Sequence, residues 1–200
     1  MTRSNIFLSA SVPRADRDEK FFRNLDVIAI RDAVKSLAML VPYKYNLVWG
    51  GHPSITPIIV DTLSFFNCEV DDYITLYQSK FFPKNIRPKE NEKIGKIIET
   101  GIGYNKLGVP DRDESLKIMR KEMIETRPYC AAIFIGGMEG VFDEYKLFTD
   151  KHPKAKVIPV PTTGGAAKIL YDEKKAAFDK RLNNNYAYLS LFKHLLNEKG

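Results

Sequence analysis

Ala131-Ala-Ile-Phe-Ile135 is an unbroken apolar run that ends directly in Gly136-Gly137. A strand apolar toward both of its faces is what a central parallel strand needs, because crossover helices cover such a sheet on each side. The segment from Val141 to about Lys151 reads as the helix that follows it, and Lys156 to Pro159 as the next strand. Ahead of it, Asp113 to Glu125 sets Leu116, Met119 and Met123 on one side of a helix, with lysine, arginine and glutamate elsewhere. Helix, strand, glycine turn, helix and strand at these lengths predict parallel β-strands joined by crossovers.

The same unit repeats toward the N-terminus. Asn5 to Pro13 is a short apolar run that passes into small hydroxylated residues, a buried strand feeding a loop. Asp26 to Leu40 places Ile30, Val34, Leu37 and Val41 at helical spacing behind an Asp26 N-cap. Asn46 to Trp49 runs into Gly50-Gly51-His52-Pro53, and Ser54 to Phe66 is amphipathic again. Tyr73 to Tyr77 is β-branched and aromatic, and the charged stretch Glu90 to Glu99 is expected to be a helix. Pro161-Thr-Thr-Gly-Gly165 opens a helix through Leu170, and a last amphipathic helix spans about 186–197, its aromatic face turned to the body or to another subunit. The expected fold class is α/β, a parallel sheet flanked by helices on both faces, in one domain over 1–200.

Bulk properties narrow the function. The 200 residues are 44% hydrophobic, enough for one well-buried core. Apolar runs such as Val27 to Ile30 are too short to span a bilayer, and the Met-Thr-Arg-Ser-Asn start has no secretory h-region, which points to the cytoplasm. Two cysteines, Cys68 and Cys130, make no disulfide framework, and His52, His152 and His194 are too scattered in sequence to suggest a metal site. No metal and no resident cofactor are expected. A net charge of +6 favours an anionic partner. The basic residues are spread along the chain without a dense tract, which weighs against nucleic acid.

Three of the expected strand ends carry glycine pairs, Gly50-Gly51, Gly136-Gly137 with Gly140, and Gly164-Gly165. Backbone without β-carbons approaches a ligand closely and aims N–H groups at phosphate oxygens, and each helix start adds about half a positive charge. Each pair taken singly is better explained as a tight turn. Together they nominate a ligand site made of Ser9, Ala10, Ser11, Gly50, Gly51, His52, Gly136, Gly137, Met138, Glu139, Gly140, Thr163, Gly164 and Gly165. Arg120 offers a planar fork of donors for phosphate or carboxylate. Glu144 either favours its helix start or steadies the cationic charge of a breaking ribosyl bond. For Asp143 the helix-start role is preferred.

The residues Met119-Arg-Lys-Glu-Met123, Ala131 to Ile135 and Gly136-Gly-Met-Glu-Gly140 through Glu144 follow one another as in the SLOG superfamily, which includes the Lonely Guy phosphoribohydrolases and the Rossmann-like domain of DNA-processing protein A. Together with Phe7-Leu-Ser-Ala-Ser11, Gly50-Gly-His-Pro-Ser-Ile-Thr-Pro57, Asp111-Arg-Asp-Glu-Ser-Leu116 and Thr163-Gly-Gly-Ala-Ala167, the chain resembles the branch found in bacterial conflict systems. The resemblance implies a Rossmann-like fold that senses, or sometimes cleaves, a nucleotide or NAD-derived, ADP-ribose-like ligand in antiviral defence or stress signalling. It implies a homo-oligomer, by default a dimer, and a separate effector protein. Ile135 replaces the hydrolase proline, Val141 replaces the threonine, and Glu139 is an added residue in the phosphate loop. Sensor, N-glycosidase using Arg120 and Glu144, and structural assembly protein all remain open at this level.

Overall fold

The structure, a computed structural model, describes residues 3–14, 16, 19–66, 73–84, 87, 89–94 and 96–197. Cys68 lies outside the described residues. The first strand, β1 (Ser4–Ser11), is followed by a short helix α1 (Glu19–Phe22), then α2 (Val27–Lys44), β2 (Tyr45–Trp49), α3 (Thr56–Phe65), β3 (Ile74–Ser79) and β4 (Ile97–Thr100). A small hairpin, β5 (Gly103–Tyr104) and β6 (Pro110–Asp111), leads into α4 (Arg112–Glu125) and β7 (Ala131–Gly136). The chain continues through α5 (Gly140–Lys151), β8 (Lys156–Val160), α6 (Gly165–Glu173) and α7 (Tyr188–Asn197).

The main sheet has the order β4-β3-β2-β1-β7-β8, and all its strands run parallel. The chain builds outward from β1 to β4, then crosses back to lay β7 on the other side of β1. The strand order therefore reverses between β1 and β7, where a crevice opens above the carboxyl ends.

Alternation along each strand divides the core in two. Ile6, Leu8, Leu47, Trp49, Ile133 and Ile135 face α2, α3 and α7, whereas Phe7, Val48, Phe134 and Ala132 face α4, α5 and α6. Phe7 stacks on Phe148 of α5 with centroids 5.7 Å apart and meets Phe134 edge-on at 6.1 Å. Helix α2 begins as its sequence dictates, the Asp26 carboxylate accepting a hydrogen bond from the Ala29 N–H at 2.8 Å. Its stripe of Ile30, Val34, Leu37 and Val41 is completely buried.

One expectation changes, and of the two surfaces left open for the C-terminal helix one is seen. Glu90 to Glu99 is not a helix but a 3-10 turn at Lys89–Lys93 followed by β4. Pairing decides it: Ile97 sits beside Leu76, and Arg87 holds Glu99 at 2.8 Å, so an edge strand wins over the helical charge pattern. The C-terminal helix packs on the body. Tyr188, Leu191, Phe192 and Leu195 are buried and α7 lies along α2, while Tyr186 stays exposed.

The third glycine pair serves this packing. Gly164 has φ +71°, and a β-carbon on it would stand 1.9 Å from the Asn24 carbonyl oxygen. Gly164→Ala should therefore cost at least about 2 kcal/mol from the left-handed backbone and the overlap together. Gly101, with nothing within 4 Å, is the control, and Gly101→Ala should stay within about 0.5 kcal/mol. Urea denaturation reads both, and equal midpoints would contradict the packing role.

Candidate functional site

Above the crevice lies a cavity of about 1080 Å³, formed where the ends of β1, β2 and β3 meet the starts of α4 and α5. The end of β1 contributes Ser9, Ala10 and Ser11, and the turn after β2 contributes Gly50, Gly51 and His52. Met138, Glu139, Gly140 and Glu144 come from the turn after β7 and from α5, and Arg120 comes from α4. These residues, named from sequence, are brought together.

Five others are not on the cavity wall. Gly136, Gly137, Thr163, Gly164 and Gly165 lie beneath it and join the loops that support it. The Thr163 hydroxyl donates to the Val160 carbonyl at 2.6 Å and accepts from the Gly136 N–H at 2.9 Å. The Gly137 N–H donates to the Ser11 carbonyl, and its own carbonyl accepts from the Ala166 N–H, both at 2.9 Å. The loops after β1, β7 and β8 are thus fixed to one another by main-chain bonds.

One uncapped helix start opens on the cavity: Glu139 and Gly140 at the head of α5 line it, and Glu139 makes no capping hydrogen bond. The positive end of the α5 dipole favours an anion there. The start of α3 is buried behind the turn after β2, where the Thr56 N–H donates to the His52 carbonyl at 2.9 Å. His52 shares a hydrogen bond of 2.7 Å between its Nδ1 and the Ser54 hydroxyl, and that hydroxyl also accepts from the Val12 N–H at 3.3 Å. The turn after β2 is thereby tied to the loop after β1.

The centre of the site is an ion pair. Arg120 Nε donates to Glu144 Oε1 at 3.2 Å, and Nη1 reaches Asp143 Oδ2 at 3.3 Å. Its third nitrogen lies over Gly140, where a β-carbon would stand 2.3 Å from Nη2, so the absence of a side chain at 140 lets the guanidinium lie across the start of α5. The Arg120 and Glu144 side chains are only 17% and 15% exposed. Burial pushes the Glu144 carboxyl above the ordinary carboxylate range; the Arg120 charge and hydrogen bonds from Ser9 and Arg120 oppose it without cancelling it.

Sequence reasoning missed part of the wall. Gln78 and Ser79 end β3 just past the expected stop at Tyr77, and Arg14, Arg87, Arg112 and Lys117 add positive charge. A polar pair at the end of an apolar strand is the signal that marks Gln78 and Ser79. Arg14 pairs with Asp16, Arg112 with Asp113 and Lys117 with Glu114, all at exposed positions where a pair is worth about 0–1 kcal/mol. Among the described residues, no group of three or more histidines, cysteines or acids is placed to hold a metal ion. Cys130, the one cysteine among the described residues, donates to the Asn5 carbonyl at 3.3 Å, and burial pushes its thiol up.

A family model described as the SLOG cluster3 family matches residues 20–196. The chain belongs to this family. The SLOG cluster3 fold is shared with the X-ray structure of TM1055, a structural genomics target, at 13% identity and a TM-score of 0.56 over 90% of this chain and 88% of that one. It is also shared with the molybdenum cofactor carrier protein of Chlamydomonas reinhardtii, at 16% identity and a TM-score of 0.51 over 98% of this chain and 100% of that one. No curated protein matches the chain. No helix among the described residues is long and apolar enough to cross a membrane.

The raised Glu144 carboxyl sets a pH dependence. The folded protein holds this proton more tightly than the unfolded chain, so the group's stabilising contribution is complete below its ordinary 4.5 and is lost as pH rises through the higher folded value. Glu144→Gln does not titrate. The stability of wild type relative to this variant should therefore fall as pH is raised from 4.5, measured as the difference in melting temperature across a pH series. A difference that grows with pH would refute the assignment.

Proposed function

We propose that this SLOG cluster3 protein binds a nucleotide or nucleotide-derived phosphoester, of ADP-ribose or NAD type, in the cavity at the strand-order reversal, and works as a sensor of that ligand. The observation that carries the reading is the meeting of the uncapped start of α5 with the largely buried Arg120 fork and the glycine turn after β2 across one large cavity. Oxygen-rich anions are what such an arrangement solvates best. The exposed cations on the rim supply attraction at long range, and the Ser9 and Ser11 hydroxyls offer partners to ribose. A protein of the same fold is named a molybdenum cofactor carrier, which is in keeping with this fold holding a small ligand.

In this reading the ligand joins the β1 side of the crevice to the α4 and α5 side, and the signal passes to a second copy of the chain, a homodimer, or to a separate effector. The setting is a cytoplasmic antiviral or stress response, in line with the resemblance of the glycine and serine motifs. Ser9, Ala10, Ser11, Gly50, Gly51, His52, Met138, Glu139 and Gly140 form the contact surface, with Gly136, Gly137, Thr163, Gly164 and Gly165 holding its backbone in place. The assembly-protein alternative keeps less support from α7, since Tyr188 and Phe192 are buried within the chain while Tyr186 is exposed.

One observation favours a second reading. A carboxyl raised by burial, beside Ser9 and within reach of the same cavity, is suited to support the oxocarbenium-like charge of a breaking ribosyl bond. Calorimetry and thermal shift against NAD, ADP-ribose, its cyclic form and nucleoside monophosphates test both readings, with each mixture assayed for free base. A sensor shows stabilisation, about 2.7 kcal/mol at a hundred times the dissociation constant, with the ligand intact. An N-glycosidase releases base, and Glu144→Gln should lower that rate by about 100-fold or more. Absence of binding across the panel would sink both.

A further inference from the structure

Gln78 lies near the end of β3, across the cavity from Glu144. Strands β3 and β7 are separated by two others in the sheet, so their ends lie three strand spacings apart, about 14 Å, further than a ribose phosphate reaches. A ligand touching both ends is larger than a single sugar phosphate, and the cavity of about 1080 Å³ has room for it.

The chemistry at the β3 end differs from that at the α5 end. Arg87 is the cation on the cavity wall at this end, and its donors are directed elsewhere: Nε to the Phe82 carbonyl at 3.0 Å, Nη2 to the Ser79 carbonyl at 3.4 Å, and Nη1 to Glu99 at 2.8 Å. It braces the loop after β3. What remains on the wall there is an amide. Gln78 is 7% exposed, its Nε2 lies beside Gly51, and its Oε1 is buried with no hydrogen-bond partner in the protein. Native interiors pair nearly all such atoms. The last torsion of glutamine is broad, so the amide turns with little resistance and presents its oxygen to the cavity it lines.

We infer that Gln78 reads the base of the ligand, and that this base carries an amine donor beside a ring-nitrogen acceptor, as adenine does. A glutamine amide matches that pair of groups with two hydrogen bonds. The inference rests on the nucleotide-binding reading above and adds an orientation to it: the base at β3, the phosphates in the middle, and the far ribosyl end at α5 and Glu144.

The test is calorimetry with three probes, ADP-ribose, its hypoxanthine counterpart and ribose 5-phosphate, on wild type and on Gln78→Met. Hypoxanthine replaces the amine by a carbonyl and carries a proton on N1, so on the N6/N7 edge that Gln78 is inferred to read it offers two acceptors in place of a donor beside an acceptor. Wild type should bind ADP-ribose about tenfold or more tightly than the hypoxanthine compound. Gln78→Met should lose that preference and bind ribose 5-phosphate as wild type does. Equal affinity of wild type for the two dinucleotide-sized probes overturns the inference and leaves the cavity reading intact, and this comparison needs no substitution. A preference that survives in a Gln78→Met protein still able to bind ribose 5-phosphate overturns it as well. Failure of all three probes to bind wild type overturns the reading on which it rests.

Discussion

The pairing of β1 with β7 is the constraint from which the site follows. Six residues of β1 from Ile6 to Ser11 lie in register with Ala131 to Gly136, and both strands are buried on their two faces. Because the chain leaves β1 in one direction and returns to its other side only after three more strands of the main sheet, no single connection crosses above this seam. The loops on either side diverge. A gap at the carboxyl edge is the result, and the residues at the end of each strand become its walls.

Electrostatics then separates two kinds of charge around that gap. The rim pairs are exposed and weakly held, and they exchange partners at little cost. The Arg120 and Glu144 pair is largely removed from water, so the charge of the Glu144 carboxyl depends on its burial and on Arg120, Ser9 and Asp143. Rim charges act on an anion at long range. At the inner pair, a group placed against Arg120 would also change the field at the Glu144 carboxyl.

Much of this was legible in the sequence because burial and periodicity coincide there. The run Ala131 to Ile135 and the stripe of α2 have one physical solution each, and the glycine turns after β2 and β7 mark where the chain must bend. The stretch Glu90 to Glu99 misled because an edge strand, half solvated, keeps charges that also suit a helix. Local pattern does not contain the neighbour that Leu76 provides for Ile97. The Gly164-Gly165 pair misled differently: glycine needed for contact with Asn24 and Gly137 looks the same as glycine needed for a ligand. Gln78 was passed over because an unmet hydrogen bond exists only once the fold surrounds the group.

The outer strands of the sheet carry one more consequence. Strand β4 is only four residues long and places the Arg87-braced Glu99 in its middle, while β8 carries Pro159, whose nitrogen has no proton to donate. Short, charged or proline-bearing edges are poor templates for an added strand. Two copies of this chain are thus discouraged from fusing their sheets edge to edge into one.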